Sequence, residues 1–175
     1  PVKSELQLGV EVLKRCGMKM LAVTGSKGKS SVVKLVSEAL GGVACGNYGV
    51  AVCEVAQRKL EGAERAEWAV VEVSSFQLET TELASDAFEA AAILNLQEDH
   101  LDRHGSVEAY HAAKRRLLGM ARETFECITP DARGLFVGSY FDNPVLAANG
   151  SMAVALLRAA GATDERIRAA FASFE

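Results

Sequence analysis

A strand–loop–helix segment near the N-terminus constrains the fold of this chain most strongly. MKMLAVTG (18–25) is an apolar, strand-like run that ends in glycine, and SSVVKLVSEAL (30–40) follows with helical spacing of its apolar residues. The loop between them, TGSKGKSS (24–31), contains Gly25 and Gly28, which allow the backbone to curl tightly. A strand, a glycine-rich loop and a helix in this order are the context that a phosphate-binding loop requires.

The rest of the chain continues the alternation of strand-like and helix-like segments. Further strand-like runs cover 41–49, 67–75, 89–96, 125–130 and 134–138. Helical spacing covers 51–63 and 106–121, 80–88 reads as a short helix or a loop, and the Ala-rich tail predicts two helices that are separated at Gly161. Apolar strands that alternate with helices predict an α/β fold of three layers, with a mainly parallel sheet flanked by helices, here of the P-loop type.

Length and composition limit the classes of protein to consider. A chain of 175 residues is long enough for one domain with a sizeable core. A formal charge of −4 argues against non-specific nucleic-acid binding. The apolar runs are far shorter than the roughly 20 residues that cross a bilayer, and the charges in the first residues lead us to expect no secretory leader. The four cysteines show no C-x-x-C pair, so we expect reduced core thiols in a cytoplasmic protein.

The loop at 24–31 is the first candidate site. Lys29 is placed to reach the β- and γ-phosphates of a nucleotide, and the Ser30 hydroxyl to ligate Mg²⁺. Val23 stands where the strict phosphate-loop motif has its first glycine, so a turn that merely starts a helix is the alternative. The residues expected to contact ATP in this loop are Thr24, Gly25, Ser26, Lys27, Gly28, Lys29, Ser30 and Ser31.

Glu72 interrupts a strand that is otherwise apolar. It lies in VVEVSSFQLETTE (70–82), where the valines predict a strand buried on both faces. A buried carboxylate without a partner is costly, and a metal ion that bridges to ATP would supply one. ILNLQEDHLDRHG (93–105), with His100, follows another strand. Ligands of open parallel sheets gather at the carboxyl ends of strands, so we expect both segments at one site.

Five motifs resemble, in order and spacing, the central ATP-binding domain of the Mur ligase family. They are TGSKGKSS, GNYG, VEVSSFQLETTE, LNLQEDHLDRHGSVEAYHAAK and the late AAN. The resemblance is strong over 19–120 and weaker from 121 onwards, and SSFQLETT is most similar to the D-glutamate-adding member. The resemblance implies an ATP-dependent carboxylate–amine ligase of peptidoglycan precursor synthesis. Such an enzyme joins D-glutamate to UDP-N-acetylmuramoyl-L-alanine through an acyl phosphate and uses two Mg²⁺ ions.

The resemblance also implies roles for individual metal-site residues. Lys29 would contact the phosphates, Ser30 the first Mg²⁺, and Glu72 would help to hold the metal ions. His100 resembles the ligand of the second Mg²⁺, although His100 and His104 could instead imitate a zinc pair. Lys114 matches a lysine that the family carbamylates, which gives a carboxylate-like group near that metal. The alternative for Lys114 is a solvated lysine in a basic run.

The remaining assignments concern the substrates and the flanking domains. Asn47 and Ser74 fall where the family contacts the acceptor, and Asn149 falls where it places an asparagine near the nucleotide base. The His-Asn pair that the family has upstream of that asparagine is absent, with Val145 and Leu146 in its place. The family's N-terminal UDP-binding domain and its C-terminal domain have no counterpart in 1–175, so we expect an isolated central domain that does not complete the ligation.

Two alternatives to this function stay open at the level of sequence. One is another amide ligase of the same superfamily, such as a second Mur-type ligase or a folylpolyglutamate synthase-like enzyme, against which SSFQLETT argues. The other is a P-loop nucleotide-binding module without ligase activity.

Overall fold

Strands and helices alternate along the chain. The computed structural model describes residues 2–97, 106–127 and 132–174. The strands are β1 Lys19–Thr24, β2 Val43–Gly46, β3 Trp68–Glu72, β4 Phe88–Ile93 and β5 Ala121–Glu126. The α-helices are α1 Glu5–Arg15, α2 Lys29–Leu40, α3 Val52–Leu60, α4 Ser75–Glu79, α5 Val107–Arg115, α6 Ala147–Ala159 and α7 Asp164–Ser173, with 3-10 turns at Arg116–Met120 and Arg133–Leu135.

The described strands form one five-stranded sheet in the order β2-β3-β1-β4-β5. Each neighbouring pair is parallel, so the carboxyl ends of the strands lie at one edge of the sheet. β1 occupies the centre, where β3 and β4 flank it and shield its backbone from solvent. The loops that follow β1, β2, β3 and β4 therefore meet at the same edge, as the sequence predicts.

Helices cover both faces of the sheet. Leu21 and Val23 of β1 belong to an apolar cluster that includes residues of α2, α6 and α7. Met20 and Ala22 belong to a second cluster that includes residues of α1 and α3. Successive residues of a strand point to opposite faces, which explains why neighbouring residues of β1 enter different clusters. The prediction of a three-layer α/β fold is confirmed.

The predicted strands near the C-terminal half need correction. The predicted strand at 134–138 is wrong, because this segment forms a 3-10 turn and bends. Its apolar residues Leu135 and Phe136 are buried under the α6–α7 layer, and Phe136 stacks 5.2 Å from Phe171. A short apolar segment that packs against helices has the same composition as a buried strand. For this reason the sequence pattern predicted a strand here.

The strand predicted at 125–130 begins earlier, since β5 runs from Ala121 to Glu126, and 128–130 lie outside the described residues. The helix predicted over 106–121 ends at Arg115 and continues as a 3-10 turn to Met120. Between 80 and 87 the chain forms a loop, one of the two forms expected there.

Helix α1, which has eleven residues, was not predicted from the sequence. Ser4 caps it by accepting a hydrogen bond from the Gln7 backbone N–H at 3.1 Å. Leu6, Val10 and Leu13 have helical spacing and are buried, so α1 is part of the core. A packed helix therefore precedes the central strand β1.

The cysteines are reduced, but the prediction that they belong to the core is correct for Cys45 alone. Cys16 and Cys53 are partly buried, and Cys127 is exposed. Within the described ranges, none of the helices combines the length and apolar character needed to span a bilayer.

Candidate nucleotide and metal site

The phosphate-loop candidate connects the central strand β1 to α2. Gly28 adopts a left-handed conformation with φ of +79° at the N-cap of α2, a conformation that favours glycine. Gly28, as the N-cap residue, has no side chain that could cap the helix. The first N–H groups of a helix lack partners within the helix, and the dipole favours negative charge there. This arrangement suits an anion such as a phosphate group.

Two lysine side chains meet at one backbone oxygen of the loop. The Lys29 Nζ donates to the Gly25 carbonyl oxygen at 2.9 Å and is 3.3 Å from that of Ser26. The Lys114 Nζ, from α5, donates to the same Gly25 oxygen at 3.0 Å. Two ammonium groups therefore lie close together beside the loop, and each of them can attract a polyanionic ligand.

Lys114 is not a solvated surface lysine, so that alternative is wrong. The side chain is 2% exposed, and its Nζ lies 4.5 Å from the centre of the Tyr110 ring. The neighbouring Arg115 and Arg116 are exposed. Of the three consecutive cations, Lys114 therefore faces the protein interior and the two arginines face solvent. The sequence alone could not distinguish the members of this basic run.

Glu72 is the last residue of β3 and lies beside both neighbouring strands. The register pairs it with Val23 of β1 and with Gly46 of β2. The residue is 2% exposed, which confirms the predicted burial. Its Oε2 accepts a hydrogen bond from the Ser30 Oγ at 2.8 Å, and its Oε1 accepts one from the Asn47 Nδ2 at 2.8 Å. Since both donors are neutral, neither of them offsets the charge of the carboxylate.

The turn after β2 is shaped so that Asn47 can reach Glu72. A Cβ on Gly46 would lie 2.3 Å from the Glu72 carbonyl oxygen, and the φ of Gly46 is +95°. Only glycine fits such a close approach without displacement of the backbone. The Asn47 N–H donates to that same carbonyl oxygen at 2.9 Å, so backbone and side chain both tie this turn to β3.

The oxygen atoms at this edge suit a divalent cation of the Mg²⁺ type. The Glu72 carboxylate and the Ser30 hydroxyl are hard oxygen donors, and they are adjacent. Among the described residues, no group of three or more His, Cys, Asp or Glu side chains could hold a metal ion. Mg²⁺ commonly binds through one or two protein oxygens and the phosphates of a nucleotide, which is compatible with this donor set. His100 and His104 lie outside the described residues.

Ser74 and Asn149 have local structural partners in addition to their predicted roles. The Ser74 hydroxyl caps α4 by accepting from the Gln77 N–H at 3.2 Å, and the Gln77 Oε1 accepts from the Ser74 N–H at 2.9 Å. Asn149, in α6, is 6% exposed and lies against the phosphate loop at Gly28. The predicted contacts of Ser74 with an acceptor and of Asn149 with a base remain predictions.

Two residues of the site were missed at the level of sequence. Asn95, just after β4, makes side-chain hydrogen bonds to the backbone of Ser26 and Lys27. Tyr110 is buried in α5, and its hydroxyl lies 3.1 Å from the Ser26 Oγ. The sequence signal for Asn95 was an amide side chain at the carboxyl end of a strand. The signal for Tyr110 was its position one helical turn before Lys114, which places both residues on the same face of the helix.

Residues 23–133 match the family model described as the Mur ligase middle domain. The chain belongs to the Mur ligase middle domain family. The family predicted from the motifs is therefore confirmed, and the match includes the phosphate loop, Glu72 and Lys114.

This Mur ligase middle domain is similar to known ligases in sequence. It is 44% identical over 118 residues to the UDP-N-acetylmuramoylalanine–D-glutamate ligase of Chromobacterium violaceum, covering 62% of this chain and 25% of that protein. It is 41% identical over 128 residues to the ligase of the same name from Koribacter versatilis, covering 70% of this chain and 26% of that protein. The chain thus spans about a quarter of the length of these relatives.

The fold of this Mur ligase middle domain is also found in a solved structure. The UDP-N-acetylmuramoylalanyl-D-glutamyl-2,6-diaminopimelate–D-alanyl-D-alanyl ligase from Acinetobacter baumannii matches with a TM-score of 0.67 and 16% identity. The match covers 96% of this chain and 49% of that one. At this identity the likeness supports the fold alone.

Proposed function

We propose that this chain is the ATP- and Mg²⁺-binding part of a ligase that joins D-glutamate to UDP-N-acetylmuramoyl-L-alanine. The observation that carries the proposal is the contact of Ser30 with Glu72, which joins a buried carboxylate to the first turn of a phosphate-loop helix. Two relatives at about 40% identity bear the name of this D-glutamate ligase, which favours that substrate over the others of the family.

In the proposed reaction the protein aligns the substrates and neutralises the charge of the phosphates, and no side chain has to act as the nucleophile. The γ-phosphoryl group of ATP moves to the acceptor carboxylate, and the amine of D-glutamate then attacks the acyl phosphate to form the amide and release phosphate. The Lys29 ammonium and the open N–H groups of α2 would hold the phosphates and offset their charge. When bound, Mg²⁺ withdraws charge from phosphoryl oxygens, and Ser30 and Glu72 are the described residues that would hold it.

The other expected site residues have further roles in the proposed site. His100 would hold the second Mg²⁺, and Asn47 and Ser74 would contact the acceptor. Lys114, if carbamylated, would present a carboxylate beside Lys29, which converts two neighbouring cations into an ion pair. Asn149 would lie near the nucleotide, behind Gly28. With ATP and a UDP-linked acceptor as substrates, we place the protein in the cytoplasm.

The length of the relatives suggests how the activity is divided. Since this chain spans about a quarter of their length, we propose that the UDP-binding and amino-acid-binding functions lie in flanking domains that 1–175 does not include. The 175-residue chain alone would then bind Mg²⁺–ATP weakly, as a nucleotide-binding module, and would not form the amide at a useful rate.

A segment exchange tests the proposed function. The matching segment of the Chromobacterium violaceum ligase is replaced by the corresponding residues of this chain, and phosphate release is measured. We expect release that requires ATP, UDP-N-acetylmuramoyl-L-alanine and D-glutamate together, with diaminopimelate and L-glutamate as control amino acids. Because the amino-acid site of the chimera comes from the host enzyme, the exchange tests the ATP site of this chain. No release from a folded chimera that binds its acceptor would contradict the proposal.

A further inference from the structure

Asn95 bridges the central sheet to the phosphate loop through its side chain. It lies two residues after β4 and is half-buried. Its Oδ1 accepts hydrogen bonds from the N–H groups of Ser26 at 3.1 Å and Lys27 at 2.8 Å. Its Nδ2 donates to the Lys27 carbonyl oxygen at 2.9 Å. One amide group therefore satisfies three backbone groups of two consecutive loop residues.

The backbone of Asn95 strengthens the same connection. Its carbonyl oxygen also accepts from the Ser26 N–H at 3.1 Å, so Ser26 is held by main chain and side chain together. The Leu94 N–H, one residue earlier, donates to the Thr24 carbonyl oxygen at 2.9 Å. The loop thus extends the hydrogen-bond ladder between β1 and β4 beyond the ends of the strands.

These bonds divide the donors of the loop into two groups. The N–H groups of Ser26 and Lys27 point at Asn95, so they are not directed at a bound anion. The first-turn N–H groups of α2, those of Lys29, Ser30 and Ser31, lack partners within the helix. Asn95 would therefore fix the side of the loop away from the phosphates, while the helix end stays open to them.

A second amide side chain extends this contact to the other glycine of the loop. The Asn95 Nδ2 lies 3.5 Å from the Asn149 Oδ1. Asn149 in turn lies so close to Gly28 that a Cβ on that glycine would be 2.1 Å from the Asn149 Nδ2. The two asparagine side chains therefore both contact the loop. Asn95 contacts Ser26 and Lys27, and Asn149 lies against Gly28.

We propose that Asn95 is a positioning residue that holds the phosphate loop in its nucleotide-binding shape before the nucleotide arrives. The inference rests on the proposed function, because it concerns the same ATP site. Asn95 acts through the backbone of Ser26 and Lys27 and does not itself contact the phosphates. A loop that is already ordered loses less conformational freedom on binding, which raises affinity.

Hydrogen exchange of the free chain tests the inference without any nucleotide. In Asn95→Ala, we expect amide protons in peptides covering 24–31 to exchange faster by about tenfold, since two hydrogen bonds to them are lost. Peptides within β1 and β4 should exchange as in the wild type. Gln97→Ala is the matched control, because Gln97 is exposed in the same segment and contacts Ser26 through backbone atoms only.

A second variant separates positioning from general loss of stability. Asn95→Asp keeps an oxygen that can accept from Ser26 and Lys27 but loses the donor to the Lys27 carbonyl oxygen, so we expect it to restore part of the protection, whereas Asn95→Leu should restore none. Saturating Mg²⁺–ATP should return exchange in Asn95→Ala towards the wild-type rate, which a merely unfolded loop region would not do. If Asn95→Ala does not fold, the comparison of Asn95→Asp with Asn95→Leu decides.

The two proposals fail in different ways. Titration of Mg²⁺–ATP into the wild type tests the proposed function, and a wild type that does not bind would overturn that proposal while the exchange result still stands. Wild-type exchange at 24–31 in both Asn95→Ala and Asn95→Leu would overturn the positioning role, even if the wild type binds ATP. With both correct, Asn95→Ala should bind Mg²⁺–ATP about tenfold more weakly than Gln97→Ala.

Discussion

Ser30 and Glu72, which are 42 residues apart in the chain, share a hydrogen bond of 2.8 Å at the carboxyl edge of the sheet. The contact exists because β3 lies beside β1, so that the end of β3 faces the first turn of α2. It joins a hydroxyl and a carboxylate, the oxygen donors that Mg²⁺ prefers. The ATP site that we propose is built around this pair.

Lys29 should contribute to nucleotide affinity through its charge. We expect Lys29→Ala to weaken Mg²⁺–ATP binding by about 10- to 100-fold, because a charge-assisted contact to phosphate is lost. Lys19→Ala is the matched control, since Lys19 is an exposed lysine at the start of β1, the strand that leads into the loop. Calorimetric titration of both variants checks the prediction. Equal affinities of the two variants would contradict it.

Lys114 should carry a carbamate when the chain is kept in bicarbonate. Its Nζ and that of Lys29 bond the same oxygen of Gly25, so a negative group on Lys114 replaces repulsion between two cations with attraction. Carbon-13 NMR in labelled bicarbonate should show a carbamate signal that Lys114→Ala removes and Lys29→Ala keeps. A signal that persists in Lys114→Ala would assign the carbamate elsewhere and contradict the role of Lys114.

Gly28 should be more sensitive to substitution than a glycine in open space. Gly28 and Gly161 both have left-handed φ values, +79° and +83°. A Cβ on Gly28 would lie 2.1 Å from the Asn149 Nδ2, whereas a Cβ on Gly161 would have no neighbouring atom within 4 Å. We expect Gly161→Ala to lower the free energy of unfolding by about 1 kcal/mol. Gly28→Ala should lower it by a further ~1–3 kcal/mol through overpacking. Urea unfolding measures both, and equal losses would contradict the close approach to Asn149.

Cys45 should resist alkylation in the native chain. Burial raises the pKa of its thiol to about 12, so almost no thiolate is present at pH 8. Burial also raises the pKa of Cys127, but that residue is exposed and reagents can reach it. Mass spectrometry after brief treatment with iodoacetamide at pH 8 should find Cys127 modified and Cys45 intact, and both modified in urea. Comparable labelling of the two in the native chain would contradict this core position.

The sequence was most informative where one local pattern sufficed. The strand–loop–helix at the phosphate loop and the buried Glu72 were both predicted, because alternating apolar segments and a charged residue in a strand are visible without tertiary contacts. The helix α1 was missed, since its exposed charged residues obscured the spacing of its buried leucines and valine.

Other features depended on contacts between distant segments. Strand β5 is partly exposed along its whole length, so it lacks the apolar run by which the inner strands were found. The signal that Asn95 gave, an amide side chain after a strand, did not single it out, because asparagine is ordinary in loops. Its role depends on the loop at 26–27, which lies 68 residues away in sequence. Lys114 is buried whereas the neighbouring Arg115 is exposed, and no pattern in the local sequence distinguishes the two.

The measurement that tests the central claim most directly is the Mg²⁺ dependence of ATP binding in Glu72→Gln. The substitution keeps an oxygen that can accept from Ser30 or Asn47 but removes the negative charge, so the fold should persist. We predict that Mg²⁺ strengthens ATP binding to the wild type and to the control Glu123→Gln, an exposed glutamate of β5, by at least about tenfold more than it does in Glu72→Gln. The same Mg²⁺ enhancement in all three proteins would contradict a metal–nucleotide site at Glu72.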